Sequence, residues 1–455
     1  MFIIPKDVSK TIYSFYQKLK GNSELFSYLE NLKMTQFYTP EKIKSLQWEK
    51  LKKLLIYSGA NCLYYKKLFK KNNINIADIN TYNDFLRIPL LDKKEVRENF
   101  FSIISNKFDK NQLLLNHSSG STGQPLAFYQ TKEFKLMAKA HQLRNYEWCG
   151  YEIGDKFALL WGSEIYFNSK FFFDKLENYL YNRLEFNTFC LTEDVLKRYA
   201  LRLSKFSPKL ISTYVSSIYL IGQIVKKYNL PQIKVGAIQT TSEVISDFQR
   251  SFIKKNFGVD IFDKYGSRET NVIAHECIKH NGLHINSENV FVEFLRDNKP
   301  VKEGEVGEVV VTNLNNYGMP LIRYRMHDLA RPLSNCDCGL GLPKMSHVIG
   351  RRSDMIVTAD GGFVDSYLFS YILMRFENIK AFQIVQDTLN KLRIRLIVKE
   401  KPDEGFEIEI SKLINKFAGK NFRIKFEYVE QISPLSSGKY RLTISHVKTS
   451  MVKKV

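Results

Sequence analysis

The chain predicts an α/β architecture, with a large multi-subdomain N-terminal domain and a small α+β C-terminal domain. Three observations carry this. Through the middle of the chain short apolar runs alternate with amphipathic stretches, as strands covered by helices do. With 455 residues, the chain is too long for one compact core and calls for two or three domains. Its apolar content of 44% and charged content of 25% are those of a globular protein.

The elements follow in order. Over residues 41–57 apolar side chains fall at Ile43, Leu46, Leu51, Leu54 and Leu55, a helical stripe, and residues 64–71 and 93–100 read as further helices. Residues 1–110 are therefore a mainly helical lead-in. The basic, aromatic opening segment, with Ile12, Phe15, Tyr16 and Leu19, reads as a helix docked on its own domain, with attachment to a membrane surface as the alternative. Residues 157–160, 210–213 and 235–239 read as strands, and 193–205 and 216–228 as helices. Over 290–312 the pattern becomes strand, turn, strand, with Asp297-Asn298 and Glu303-Gly304 as turn signals, which predicts a small antiparallel part. Past Gly350 a smaller unit begins. Residues 391–398 alternate Leu392, Ile394, Leu396 and Val398 with Arg393 and Arg395, residues 406–417 carry Ile410, Leu413 and Ile414 on one helical face, and 422–429 form a second strand. The boundaries expected are 1–350 and 351–455.

Composition excludes several function classes. The net charge of +21 invites nucleic acid, but the lysines are scattered in pairs with acidic residues among them, not gathered in a stripe. Solvated lysine faces account for the charge first, and attraction to anionic ligands or a membrane surface second. No run approaches the ~18 apolar residues of a membrane span, and residues 1–21 lack a signal-peptide pattern, so the expected location is the cytoplasm. Six cysteines over this length make no disulfide framework, and a clustered pair reads more readily as a metal site.

The chemistry-bearing motifs begin with Ser118-Ser119-Gly120-Ser121-Thr122-Gly123-Gln124-Pro125-Leu126. Such a run of hydroxyls and glycines can wrap backbone N–H groups around phosphate oxygens, although Ser/Gly turns are also common as plain loops. Asp263-Lys264-Tyr265-Gly266-Ser267-Arg268-Glu269 offers a ring able to stack on a base and a carboxylate able to hold magnesium. The segment from Pro320 to Asp328 ends an expected strand with an aspartate suited to two ribose hydroxyls. Near the end, Ser437-Gly438-Lys439 places a lysine beside a glycine-permitted bend. Each reads singly as an ordinary turn, but their order is informative.

That order resembles the adenylate-forming (acyl-activating) ligase superfamily, and within it the phenylacetate-coenzyme A ligase and coenzyme F synthetase group. The likeness runs from Trp48-Glu49-Lys50-Leu51 and Ile88-Pro89-Leu90-Leu91-Asp92-Lys93 to Lys439. It implies a ligase that activates a carboxylate with ATP to an acyl adenylate and pyrophosphate, then passes the acyl group to an acceptor. It also implies roles. Ser118 to Gly123 hold the leaving phosphates, Thr241-Ser242-Glu243 line the nucleotide and acyl pocket, and Tyr265 with Gly266 and Ser267 takes the adenine. Glu269 holds magnesium, Asp328 and Arg351 the ribose, and Lys439 neutralises charge at the carboxylate and α-phosphate. Asp354 is the hinge of a mobile C-terminal lid.

A second constellation is metallic. Cys277 and His284 flank a turn containing Asn281-Gly282, and Cys336-Asp337-Cys338-Gly339 supplies two more thiols. Three thiolates and an imidazole suit tetrahedral zinc, and spacing alone divides evenly between zinc and free thiols. The group carries a matching Glu-Cys, Gly-Leu-His and Cys-x-Cys-Gly pattern, which favours a structural zinc on Cys277, His284, Cys336 and Cys338, with His275 and His280 as substitutes for His284.

The substrate stretch departs from phenylacetate ligases. In place of their Gly-rich aromatic segment stand Leu160-Trp161-Gly162-Ser163-Glu164-Ile165-Tyr166, and the insert over 171–189 resembles the branch encoded with capsular and other surface-polysaccharide genes, the CapK-like branch. His327 replaces a usual glycine and Arg268 a usual small hydroxyl residue. The resemblance implies a carboxylic or amino acid substrate and an acceptor that is an amino sugar, a carrier-protein thiol or coenzyme A, with peripheral attachment at the inner face of the membrane as an option. An aryl-coenzyme A ligase is the enzymatic alternative. A non-enzymatic nucleotide-binding scaffold at the membrane surface is opposed by the presence of Lys439, Glu269 and Asp328.

Overall fold

A computed structural model describes residues 4–118, 126–161, 172–188, 191, 193–351, 356–357, 363–364, 369, 372–373, 376, 378–418, 422–432 and 443–447. They fall into two compact units, one holding the residues up to 326 together with 330–347, the other holding 327–329 and the residues from 348 onward.

The first unit opens with helices. Pro40–Asn61 starts where Thr39 accepts a hydrogen bond from the Lys42 N–H and Pro40 supplies a preset first turn. It buries Ile43, Leu51, Leu54 and Leu55, as the stripe predicts. The helix expected over 93–100 is instead two: Lys93–Glu98, held by a capping box between Asp92 and Glu95, and Phe100–Ile103, with Asn99 between them. The opening helix Lys6–Leu19 is docked, its Ser9 hydroxyl donating to the Leu180 carbonyl at 2.8 Å and Tyr16 to Glu177 at 3.2 Å. Among the described residues no helix is long and apolar enough to cross a membrane.

After the hairpin of β1 (Leu113–His117) and β2 (Ala127–Thr131) come the strands of the main sheet: β3 (Phe157–Trp161), β4 (Arg183–Asn187), β5 (Leu210–Tyr214), β6 (Ala237–Thr241), β7 (Ile261–Ser267), β8 (Asn271–Glu276) and β9 (Leu283–Ile285). With β10 (Val290–Arg296), β11 (Lys299–Pro300), β12 (Gly307–Asn313), β13 (Tyr324–Ala330), β14 (Pro332–Leu333) and β15 (Lys344–Met345), the order in the nine-stranded sheet is β14-β15-β9-β8-β7-β6-β5-β3-β4. The section from β4 to β7 is parallel and the rest antiparallel. Strands β10 to β12 pair antiparallel, as the turn signals predict.

Parallel strands are covered on both faces, so their sequences are nearly continuous apolar runs. On one face Ala158, Leu160, Ile211, Ile238 and Ile261 pack with the helices Glu193–Phe206, Val215–Lys227 and Asp247–Phe257. On the other, Phe157, Leu210, Ala237 and Phe262 meet the helices Glu24–Thr35 and Lys132–Trp148. Strand β6 lies two residues later than expected. A Cβ on Gly236 would come within 2.6 Å of the Lys209 carbonyl oxygen, and the strand runs on through the buried, β-branched Thr240 and Thr241.

The second unit contains residues 327–329 of β13, β16 (Gly350–Arg351), the pair β17 (Ile356–Val357) and β18 (Phe363–Val364), and a four-stranded sheet of β19 (Ile379–Thr388), β20 (Lys391–Val398), β21 (Arg423–Tyr428) and β22 (Thr443–Ser445) in the order β21-β20-β19-β22. Ile384, Ile394 and Leu396 on the sheet pack with Ile410 and Ile414 of the helix Glu404–Ala418. Asp328 lies inside β13, opposite Arg351 of β16, and does not end its strand as the sequence reading expects, because Leu329 goes on to pair with Gly350 and the strand runs to the buried Ala330.

Candidate functional site

The β1–β2 hairpin closes on Ser118. Its N–H donates to the Leu126 carbonyl at 2.8 Å, and its hydroxyl accepts from the Leu126 N–H at 2.9 Å. Ser119, Gly120, Ser121, Thr122 and Gly123 lie outside the described residues, as do Asp354, Lys439 and the side chain of Arg351.

The base of that loop is bound to the turn between β7 and β8. The Arg268 guanidinium donates to the His117 carbonyl at 3.1 Å, and the Gln130 amide donates to the Arg268 carbonyl at 3.0 Å. Within the turn the Ser267 hydroxyl accepts from the Thr270 N–H at 3.2 Å. Gly266 is needed by close packing: an added Cβ would sit 2.4 Å from the Asn271 carbonyl oxygen, where the register shifts. Glu269 is buried, at 4% exposure. Its carboxylate accepts from the Tyr324 hydroxyl at 3.4 Å, and among the described residues no cation pairs with it. A buried, uncompensated carboxylate is costly, and its hard oxygens fit magnesium.

At the end of β6, Thr241 donates to the Lys264 carbonyl at 3.2 Å, and Ser242 takes a left-handed conformation with φ of 69°. Glu243 sits at the start of the helix Val215–Lys227, where its carboxylate accepts from the Ser216 N–H at 2.7 Å and hydroxyl at 2.9 Å. Tyr265 stands near the end of β7. Sequence reasoning missed Tyr214, which ends β5 and stacks on Trp161 with ring centroids 4.8 Å apart. The available signal was its place directly after the strand expected over 210–213. In the second unit Asp328 is buried, facing Arg351 in the ladder, and His327 before it has φ of 60°.

The four expected metal ligands do come together. One ligand atom from each of Cys277, His284, Cys336 and Cys338 lies within 4.8 Å of all the others. Cys277 Sγ is 3.8 Å from Cys336 Sγ, and Cys338 Sγ is 3.2 Å from His284 Nε2. Zn–S bonds of about 2.3 Å at tetrahedral angles imply an S···S edge of about 3.8 Å. His284 Nδ1 donates to the Leu342 carbonyl at 2.9 Å, which leaves Nε2 free to ligate. Burial pushes the Cys277 thiol up to about 12 and raises Cys338 as well. His275 and His280 serve elsewhere. His275 lies 2.7 Å from the Gln239 amide, and His280 3.1 Å from a Glu276 carboxylate oxygen.

A two-faced sheet whose parallel strand ends carry these segments, with a small α/β second unit, is the fold of the adenylate-forming ligases. The structure of 2-hydroxyisobutyryl-CoA ligase in the postadenylation state superposes with a TM-score of 0.72 at 17% identity, covering 89% of this chain and 90% of that one. Anthranilate CoA ligase AuaEII gives 0.52 at 18% identity over 74% and 68%. Residues 356–446 match the family described as the CapK C-terminal domain. Protein CapK of Staphylococcus aureus is 26% identical over 97% of this chain and 93% of its own length. Phenylacetate-coenzyme A ligase of Escherichia coli K12 is 23% identical over 79% of this chain and 83% of its own length. Along nearly its whole length the chain is similar to CapK, and over most of it to the phenylacetate-coenzyme A ligases, on a fold shared with the acyl-CoA ligases.

Proposed function

We propose that the protein uses ATP to convert a carboxylic acid into an acyl adenylate, releasing pyrophosphate, and then transfers the acyl group to a nucleophilic acceptor. The observation that carries this is Glu269, a buried carboxylate with no cation paired to it among the described residues, on a turn bound through Arg268 to the base of the 118–126 loop. A carboxylate and a triphosphate repel, so the reaction needs positive charge where they meet. Glu269 would hold magnesium, which when bound neutralises phosphate charge. Ser118 to Gly123 take the phosphates, Ser242 and Glu243 order the strand end beside the nucleotide, and Tyr265, Gly266 and Ser267 receive the adenine. Asp328 and Arg351 hold the ribose. Lys439 is the cation for the reacting carboxylate, on a domain spanning 351–455 that turns about Asp354 between half-reactions.

The cluster of Cys277, His284, Cys336 and Cys338 fits zinc. Four protein ligands leave no open position, so the zinc is structural and braces the antiparallel edge of the sheet. The likeness to CapK supports a place in capsular or other surface-polysaccharide synthesis. The phenylacetate-coenzyme A ligases favour coenzyme A as acceptor, and an amino sugar or carrier thiol is the second reading.

The test is pyrophosphate and AMP release across a panel of carboxylic acids, with and without coenzyme A. Acid-dependent pyrophosphate release that disappears in Lys439→Ala supports activation. Release that persists near the wild-type rate in Lys439→Ala removes that residue from its role. Acyl-coenzyme A formation identifies the thiol acceptor, and adenylate without thioester points to an amine or carrier.

A further inference from the structure

The register of the parallel strands sets four side chains in a row. Tyr214 pairs with Thr241, and Thr241 with Lys264. Trp161, at the end of β3, continues the row through its stack on Tyr214. All four project from the face that packs on the helix Lys132–Trp148, because Leu159, Leu210, Ala237 and Phe262 of the same alternation belong to that core. Beneath the row runs a polar layer. The Ser212 hydroxyl donates to the Gln239 side-chain carbonyl at 3.0 Å, and the Gln239 amide reaches His275 at 2.7 Å.

Lys264 is anomalous in this setting. Its ammonium has no hydrogen-bond acceptor or carboxylate within reach among the described residues. The adjacent Asp263 is spent on His347, at 3.1 Å, and on the Thr240 hydroxyl, at 3.3 Å. Cys149, the other neighbour it senses, is a buried thiol raised well above its ordinary range and so carries no charge. Burial draws the ammonium down to about 8, which still leaves it charged at neutral pH. An unpaired, poorly solvated cation costs stability unless a ligand supplies the counter-charge.

Building on the proposed activation reaction, we infer that the acid is a dicarboxylic acid, whose far carboxylate pairs with Lys264 while its body lies along Thr241 and the Trp161–Tyr214 stack. The reacting carboxylate is left for the adenylation chemistry. The same cation disfavours amino acids that carry a free ammonium at the far end, so the site selects among the acids open to this branch.

Binding is measured first, independently of turnover, by titrating the full chain at pH 7 with malonate, succinate, glutarate, adipate and homophthalate, each against the monoacid of equal skeleton. The expected result is that at least one diacid binds about 10- to 100-fold more tightly than its monoacid, the strength of a charge-assisted hydrogen bond. Lys264→Met should erase that ratio and leave the monoacid's affinity within about threefold. Equal or tighter binding of every monoacid by the wild-type chain overturns the inference, and this arm needs no variant to fold. Loss of mono- and diacid binding alike in a folded Lys264→Met, judged by unchanged circular dichroism, also overturns it, because the lysine would then serve the reacting carboxylate. Pyrophosphate release separates the two claims. A diacid that binds selectively with no acid releasing pyrophosphate sinks the ligase reading alone. Monoacids that release pyrophosphate while diacids neither bind nor react sink this inference alone.

Discussion

Arg268 reaches from the turn after β7 to the last residue of β1, donating its guanidinium N–H to the His117 carbonyl at 3.1 Å. Gln130 on β2 returns the link by donating to the Arg268 carbonyl at 3.0 Å. The hairpin that bears Ser118 and the turn that bears Glu269 are therefore one unit mechanically. A small hydroxyl residue at position 268 could not span the gap.

From this tether comes the first prediction. Arg268→Ala removes one solvent-exposed hydrogen bond, worth about 0.5–1.5 kcal/mol, so the melting temperature should move little. The KM for ATP should rise up to about tenfold, because the two segments to which the proposed reaction assigns the phosphates and magnesium are no longer held in register. Steady-state pyrophosphate release against ATP concentration checks this, and an unchanged KM would show that the tether does not organise the site.

Glu269→Gln keeps the shape of the side chain and its contact with the Tyr324 hydroxyl but removes the charge. Because no cation among the described residues pairs with the carboxylate, stability should hold or increase. Pyrophosphate release should fall at least about 100-fold, the scale on which a lost metal contact acts on transition-state charge. Raising magnesium should recover part of the rate. A variant as active as wild type at limiting magnesium would exclude Glu269 as its ligand.

Much of this arrangement is legible in the sequence, and the exceptions have physical reasons. Strands β3 and β5 announce themselves because burial on both faces demands apolar runs. The end of β6 does not, since Thr240 and Thr241 are polar yet buried. Strand β8 escapes reading because it carries His275 and Glu276, whose burial depends on partners distant in the chain. Glu276 lies 2.9 Å from Arg250, 3.1 Å from His280 and 2.9 Å from His347. The cluster of Cys277, His284, Cys336 and Cys338 is legible because ligand chemistry restricts residue type. The row from Trp161 to Lys264 is not, since it exists only through the register of four strands.

Metal analysis of the purified chain should find about one zinc per chain. Cys338→Ser should lose it and lower the melting temperature, because binding energy at a structural site is folding energy. Without metal, burial holds the Cys277 thiol up near 12, so each thiolate that ligates must release a proton. Zinc affinity should therefore rise steeply with pH, and chelator-induced unfolding should be easier at pH 6 than at pH 8. Protein with less than a tenth of an equivalent of zinc, equally stable with and without chelator, would falsify the site.

The last prediction concerns His347, which bridges two carboxylates. Its Nδ1 lies 3.1 Å from Asp263 and its Nε2 2.9 Å from Glu276. Burial works against the imidazolium, but the two carboxylates outweigh it and hold the group up at about 9. Its ordinary value in an unfolded chain is about 6.5. A group raised on folding lends stability that is fully present below the unfolded value and lost as pH climbs through the folded one. The stabilisation should thus be complete below about pH 6.5 and drain away towards pH 9. The ring is partly exposed, so solvent screening reduces its worth to roughly 1–2 kcal/mol. Denaturant unfolding at pH 6, 7.5 and 9 measures it. The wild-type chain should lose stability across that window, and His347→Gln, which can still donate a neutral hydrogen bond, should be less stable at pH 6 and nearly flat across the same range. Parallel slopes for the two proteins would mean that the bridge carries no proton in the folded state.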